Sequence, residues 1–230
     1  PVRLPEVEGG VGRVVGRSTV GCPVGTTVIV RRLFYNTPAR YKFLKAHIVE
    51  RRHVLDWMMR ISLAQPACRF SVTADGREIL KTPGDGDLLE AVAAVYGRHL
   101  AQSMLPVEAQ WTGGRLHGWA ARPDVHRGNR DQEVVIVNGR PIHSPMIARA
   151  IEKGFETLLP SRRFPVAVVH LEMDPAEIDV NVHPTKLEIK FADEQRVFRE
   201  VMLAVRSALS GANLYVVSPR AMGGWPGTPP

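Results

Sequence analysis

Cysteine is scarce in this 230-residue chain: Cys22 and Cys68 are the two it has. Neither has a second cysteine or a histidine at metal-ligand spacing. Two thiols so placed read as reduced and structural, as in a cytosolic compartment. Long apolar runs are missing as well, and none approaches the ~20 residues that a membrane helix requires. No secretory signal opens the chain. Trp57, Trp111, Trp119 and the scattered tyrosines form no array on which successive bases would stack, so single-strand aromatic readout is unsupported. No internal repeat is visible.

What is present is an ordinary globular composition, 44% hydrophobic and 23% charged. A chain of this length makes one large domain or two small ones and can bury roughly 70% of its unfolded surface, so it needs no staples. It opens on Pro1 rather than Met, and its first segment reads as the middle of something, so a fragment is expected. The net charge is +7. Residues 31–60 hold eight basic groups (Arg31, Arg32, Arg40, Lys42, Lys45, Arg51, Arg52, Arg60) against Glu50 and Asp56, a surplus of six and nearly the whole excess. Such a cluster attracts phosphate, from nucleic acid or nucleotide, unless it is simply a solubilising helix face.

Taken in order, Arg13–Val20 suits a strand, and Thr26–Phe34 is a β-branched strand ending in bulky residues. Thr37 and Pro38 supply a cap and a first helical residue, and the spacing predicts one helix from Pro38 to about Ala64. Leu44, Ile48, Leu55, Met59 and Leu63 are its buried stripe, and Pro66 its stop. Arg69–Ala74 and Arg77–Thr82 form a hairpin around Asp75-Gly76. Pro83-Gly84-Asp85-Gly86 is the expected domain boundary. Asp87 caps the next helix, with Glu90 three residues on. A second hairpin joins Met104–Gln110 to Arg115–Ala121, and Glu133–Asn138 is a strand covered on both faces. Ser144 and Pro145 start a helix running to Leu159. Phe164–Met173 is the longest apolar strand. Asp193 caps the last helix, which Gly211 ends. Residues 213–230 look like the start of a flexible linker.

The chain is organised around Asp179-Val180-Asn181-Val182-His183-Pro184-Thr185-Lys186. Val180 and Val182 alternate with polar residues, and Pro184 breaks the ladder because it has no N–H to donate. A strand that bends there delivers Lys186 as a single cation at a fixed place, or as a solvated lysine on an edge strand. His183 has no carboxylate or second histidine at ligand spacing and reads as structural, with Asn181 holding the bend. Two further segments carry pattern: Pro23-Val24-Gly25-Thr26-Thr27-Val28 followed by Leu33-Phe34-Tyr35-Asn36-Thr37-Pro38-Ala39-Arg40, and Val137-Asn138-Gly139-Arg140-Pro141.

In order and content these three segments closely resemble the MutL family of DNA mismatch-repair proteins, whose ATPase domain is of the gyrase/Hsp90/histidine-kinase type. The resemblance implies an α/β fold in layers: 1–84 the back end of the ATPase domain, 87–212 a ribosomal-protein-like second domain. In that domain helices lie on a mostly four-stranded sheet with a left-handed βαβ crossover, where physics alone favours the right-handed form. It implies DNA mismatch repair by an ATP-driven clamp that closes by N-terminal homodimerisation and works with a mismatch-recognition protein of MutS type. Lys186 would reach the γ-phosphate of ATP as the catalytic cation, with Gly25, Thr26 and Thr27 near the nucleotide. ATP and Mg²⁺ would be the cofactors of the parent protein. The helical Glu and Asn, the Asp-x-Gly and the Gly-rich lid of the family are not in this chain. In the family they lie upstream, so this piece alone should bind neither cofactor and hydrolyse no ATP.

From the residues themselves, Gly25-Thr26-Thr27 is either a ligand contact or a tight turn. Arg40, Lys42 and Lys45 form either an anion site in the first helical turns or a solvated helix end. Arg140 either binds phosphate or pairs on the surface. These residues, with Arg51, Arg52 and Arg149, are the expected sequence-independent contacts to the DNA backbone. A bacterial protein of this kind would be cytoplasmic and nucleoid-associated. Two alternatives are a transducer of the type II topoisomerase B-subunit kind and a nucleic-acid module without ATPase. Pro184-Thr185-Lys186 argues against the first, where a glutamine before the lysine is expected.

Overall fold

The computed structural model describes residues 2–8, 13–20, 24–180 and 188–212. They fall into two compact units, residues 1–55 and 56–230.

In the first unit, β1 (Val2–Glu8) and β2 (Arg13–Val20) pair antiparallel, with a bulge between Glu6 and Val7. Residues 26–31 are irregular and exposed, so the strand expected over Thr26–Phe34 is not formed. Arg32 and Phe34 take positive φ of 50° and 64°, which end any extended run. The single helix expected from Pro38 to Ala64 is two. α1 (Pro38–Tyr41) is one turn, and α2 (His47–Ala64) starts afresh. The Thr37 side chain makes no capping bond; its carbonyl accepts from the Arg40 and Tyr41 N–H groups instead. At the start of α2 the Glu50 carboxylate accepts from the Lys45 backbone N–H at 2.8 Å, which satisfies a donor outside the helix and favours a new start there. Of the expected buried stripe only Leu63 is buried, in the last turn, while Leu44 and Ile48 are exposed.

The second unit is a sheet with helices on both faces. Its elements are β3 (Ser71–Ala74), β4 (Arg77–Lys81), α3 (Leu88–Tyr96), α4 (Arg98–Ala101), β5 (Met104–Trp111), β6 (Gly114–Ala121), β7 (His126–Arg127), β8 (Glu133–Val137), β9 (Arg140–Ile142), α5 (Pro145–Phe155), β10 (Phe164–Pro165), β11 (Ala167–Met173), β12 (Ile178–Asp179), β13 (Lys190–Phe191) and α6 (Glu194–Gly211). The main sheet has five strands in the order β5-β6-β11-β8-β9, one more than expected, because the short β9 folds back onto β8. β8 and β11 run parallel, joined through β9 and α5, and the other neighbours are antiparallel.

Every residue of β8 is buried, as a strand covered on both faces demands. Val135 and Val137 point into a core shared with α5 and α6. Val134 and Ile136 point into a second core built by Leu63 and Ala64 of α2 with α3 and α4. That second core explains why the compact unit begins at Asp56 and not at the expected Pro83–Gly86 boundary: the end of α2 is part of it. Gly154 lets α5 and α6 approach closely, since a Cβ there would lie 2.7 Å from the Val205 side chain. Other local signals hold. Asp75 and Gly76 turn β3 into β4 with φ of 51° and 76°. Asp87, Ser144 and Asp193 cap α3, α5 and α6 by accepting from N–H groups of the first turn.

Candidate functional site

The residues singled out from the sequence lie in separate places. Gly25 sits at φ 154°, a backbone angle side chains rarely adopt, and a Cβ there would meet nothing within 4 Å. With Thr26 and Thr27 exposed beside it, the backbone amides and hydroxyls are open to phosphate oxygens, a donor set that fits nucleotide contact. Asn181 to Leu187, including His183 and Lys186, lie outside the described residues. The chain on either side of them is held. β12 and β13 pair with Asp179 opposite Lys190. Glu177, just before β12, accepts from the Ala192 N–H and binds Arg196 of α6 at 2.7 Å.

Arg40 lies in α1, Lys42 caps its C-terminus and Lys45 lies between α1 and α2, so the expected anion site in the first two turns of one helix does not exist. Arg40, Lys42, Lys45 and Arg52 are exposed and Arg51 is half-buried. The basic character of the stretch thus stands, but as a surface and not as a helix end. Arg140 opens β9 and Arg149 lies on α5; both are exposed, and among the described residues neither makes an ion pair.

Asn138-Gly139-Arg140 has a structural reason for its first two members. Asn138 and Gly139 take φ of 48° and 75°, which turn β8 into β9. The Asn138 side chain donates to the Met173 carbonyl at 2.9 Å and accepts from the Met173 N–H at 2.8 Å. The turn is thereby clamped to the end of β11, and Arg140 is presented from a rigid base.

Sequence reasoning missed a cleft of about 570 Å³, walled by Gln65, Pro66, Asp87, Leu88, His117, Asn138, His170 and Glu172. His117 and His170 face each other across β6 and β11, and their rings stack at 5.0 Å. His170 is buried, and its Nε2 lies 3.0 Å from the Leu63 carbonyl. A carbonyl only accepts, so Nε2 carries the proton. Burial, helped by the neighbouring His117, lowers the His170 pKa to about 4, so the ring is neutral at pH 7. His117 Nε2 lies 3.3 Å from a Glu172 carboxylate oxygen. Among the described residues no three His, Cys, Asp or Glu side chains come together to hold a metal ion.

Glu133, at the start of β8, is buried, and among the described residues neither carboxylate oxygen has a hydrogen-bond partner. Desolvation, with repulsion from Glu152, pushes its pKa up to about 8 against the pull of Arg130, so it is protonated at neutral pH. The sequence signal for either group was its place in a mostly apolar strand.

A family model described as "DNA mismatch repair protein, C-terminal domain" matches residues 92–210, from within α3 to within α6. The chain belongs to the MutL family of DNA mismatch-repair proteins. The MutL of Shouchella clausii is 44% identical over 209 residues, covering 91% of this chain and 32% of that protein. The chain thus spans about a third of the length of the curated relatives it matches. The Aquifex aeolicus MutL ATPase domain complexed with ADP superposes with a TM-score of 0.56 at 32% identity, over 71% of this chain and 59% of that one. The N-terminal domain of a DNA repair protein superposes with a TM-score of 0.78 over 93% of this chain and 69% of that one; at 22% identity it shows the shared fold. Relatives by sequence and by structure favour the MutL family over the topoisomerase-like transducer. Among the described residues no helix is long and apolar enough to cross a membrane.

Proposed function

We propose that this chain is the part of a MutL-type mismatch-repair clamp in which Lys186 tests the state of bound ATP. In the parent protein ATP and Mg²⁺ bind the ATPase domain, with Gly25, Thr26 and Thr27 near the phosphates. Mg²⁺ there supplies charge neutralisation to the phosphates. The role of Lys186 is electrostatic: a cation aimed at the γ-phosphate stabilises the charge that develops as the phosphoryl group passes to water. Closing of the clamp by N-terminal dimerisation then reports mismatch recognition by a MutS-type partner. The exposed cations Arg40, Lys42, Lys45, Arg52, Arg140 and Arg149, with the half-buried Arg51, hold the DNA backbone without reading its sequence. This work would take place in the cytoplasm, on the nucleoid.

The observation that supports the reading best is the base from which the Lys186 segment springs. Asp179 pairs with Lys190, and Glu177 is locked to Arg196 at 2.7 Å, so both ends of residues 180–189 are fixed to α6 and its neighbours. A segment anchored at both ends has fewer backbone conformations to lose when its lysine reaches a phosphate. The test is Lys186→Ala in the full-length parent. Turnover should fall by the equivalent of about 2–3 kcal/mol at the transition state, with the fold intact. Unchanged turnover at unchanged nucleotide affinity would remove the lysine from the mechanism.

A further inference from the structure

We infer that the turns around the small β7–β10 ribbon form a separate binding site for the phosphate backbone of duplex DNA, carried by Arg122, Arg127, Arg162 and Arg163. It rests on the DNA-contact part of the function proposed above but places a contact where none of the residues named there lies. β7 and β10 pair with Arg127 opposite Phe164 and His126 opposite Pro165, which brings Arg163 to the end of the ribbon near Gly128. The two chains are close: a Cβ on Gly128 would lie 3.6 Å from an Arg163 guanidinium nitrogen. Arg122 joins them from the turn after β6, where Ala121 donates to the Val166 carbonyl just past β10.

The arginines of this ribbon outnumber the exposed carboxylates of the same turns, Asp124 and Asp131. Elsewhere in the same unit several cations of the helices are spent in ion pairs: Lys153 with Glu156, Arg196 with Glu177, and Arg206 with Glu156. Arg130, at the edge of the ribbon, is likewise tied to Glu152 through two hydrogen bonds and lies over the Phe164 ring at 4.6 Å. Among the described residues Arg122, Arg127, Arg162 and Arg163 make no ion pair. Arg122, Arg162 and Arg163 are exposed and Arg127 is half-buried. Glu133, at the start of the neighbouring β8, is buried, and burial pushes its pKa up to about 8.

Arg162 takes φ 59°, which turns the chain so that two arginines follow one another at a bend. Guanidinium forks suit phosphate oxygens, and four of them on turns with no base-reading glutamine or asparagine array favour backbone contact over sequence readout. The ribbon lies at the end of the sheet where β11 begins. Arg140 and the β12–β13 base lie at the end where β11 finishes, about 20 Å away along a seven-residue strand. The two places therefore contact different phosphates, and their salt dependences add.

The experiment is fluorescence anisotropy of the 230-residue chain with a labelled 30-base-pair duplex, titrated at several salt concentrations. Wild type is compared with Arg162→Glu/Arg163→Glu, Arg162→Lys/Arg163→Lys and Arg51→Glu/Arg52→Glu. Circular dichroism confirms that each variant is folded; residues 162 and 163 are exposed, and the lysine pair guards against a conformational effect. The expected result is at least ten-fold weaker binding for the glutamate pair at 162 and 163, with the log–log salt slope shallower by about 0.9 for each phosphate no longer neutralised. The lysine pair should keep the slope. Unchanged affinity and slope at 162 and 163, with weaker binding at 51 and 52, overturns this site and leaves the function proposed above standing. A wild-type chain that binds no duplex at low salt overturns both. Binding weakened as much by the lysine pair as by the glutamate pair shows a structural effect and also overturns the site.

Discussion

His170 on β11 stands directly opposite His117 on β6, with the rings stacked at 5.0 Å and the His170 Nε2 donating to the Leu63 carbonyl at the end of α2. One imidazole thus closes the last turn of a helix and floors the cleft. Protonating it would place a buried charge beside a second histidine, which burial disfavours more than the Leu63 hydrogen bond favours.

Stability should therefore depend on this ring below neutral pH. The folded pKa of His170 is about 4, below the ordinary value of 6.5, so folding expels a proton in acid. Its stabilising contribution is present above pH 6.5 and is lost as pH falls towards 4, by an amount on the order of 3 kcal/mol. In His170→Gln the amide can still donate to Leu63 but does not titrate. Urea unfolding at pH 7, 5.5 and 4 should show wild type losing more stability than the variant. Parallel losses would mean that the ring titrates normally.

Glu133 acts in the opposite direction. Its folded pKa is about 8, above the ordinary 4.5, so it stabilises below pH 4.5, and that contribution is lost as pH rises through 8. Glu133→Gln removes the titration at nearly constant shape. The variant should gain on wild type between pH 5 and pH 9 and match it near pH 4, as read from thermal melts. A variant less stable than wild type at pH 9 would show that the carboxylate finds partners when ionised.

Gly118 is a position no other residue fills. Its φ is 157°, and a Cβ would lie 2.2 Å from the Val168 carbonyl oxygen in the middle of the sheet. Gly118→Ala must push β6 from β11 and should cost more than ~3 kcal/mol. Gly76→Ala, at a turn with open space, serves as a control and should cost much less. Similar melting temperatures for the two would refute the close approach.

Limited proteolysis should leave a core that begins near Asp56 and not near Asp85. Leu63 and Ala64 pack with Val134, Ile136 and Val168, so removing the end of α2 uncovers one face of the sheet. A fragment from residue 85 should melt well below one from residue 56. Equal melting temperatures would show that the sheet does not need that helix.

Charge reversal at Arg51 and Arg52 together should weaken binding about equally to matched, mismatched and unrelated duplexes, and should reduce the salt slope. Discrimination among the duplexes that changes with the mutation would point to base contacts instead.

Turns and caps were legible in the sequence because their physics is confined to a few neighbouring residues. Asp75-Gly76, the Asp87, Ser144 and Asp193 caps, and the buried run of β8 needed only local spacing. The family resemblance, too, lay in short contiguous motifs. Thr26–Phe34 has the composition of a strand, but a strand exists only with a partner, and composition names none. The expected long helix is interrupted between Tyr41 and His47, where the Lys45 N–H turns to the Glu50 carboxylate. The rest was decided by pairing between distant segments. That β11 lies between β6 and β8 is what brings His117 against His170, sinks Glu133 away from water and gathers Arg122, Arg127, Arg162 and Arg163 on one ribbon. No stretch of sequence contains those neighbours together; the sheet register creates them.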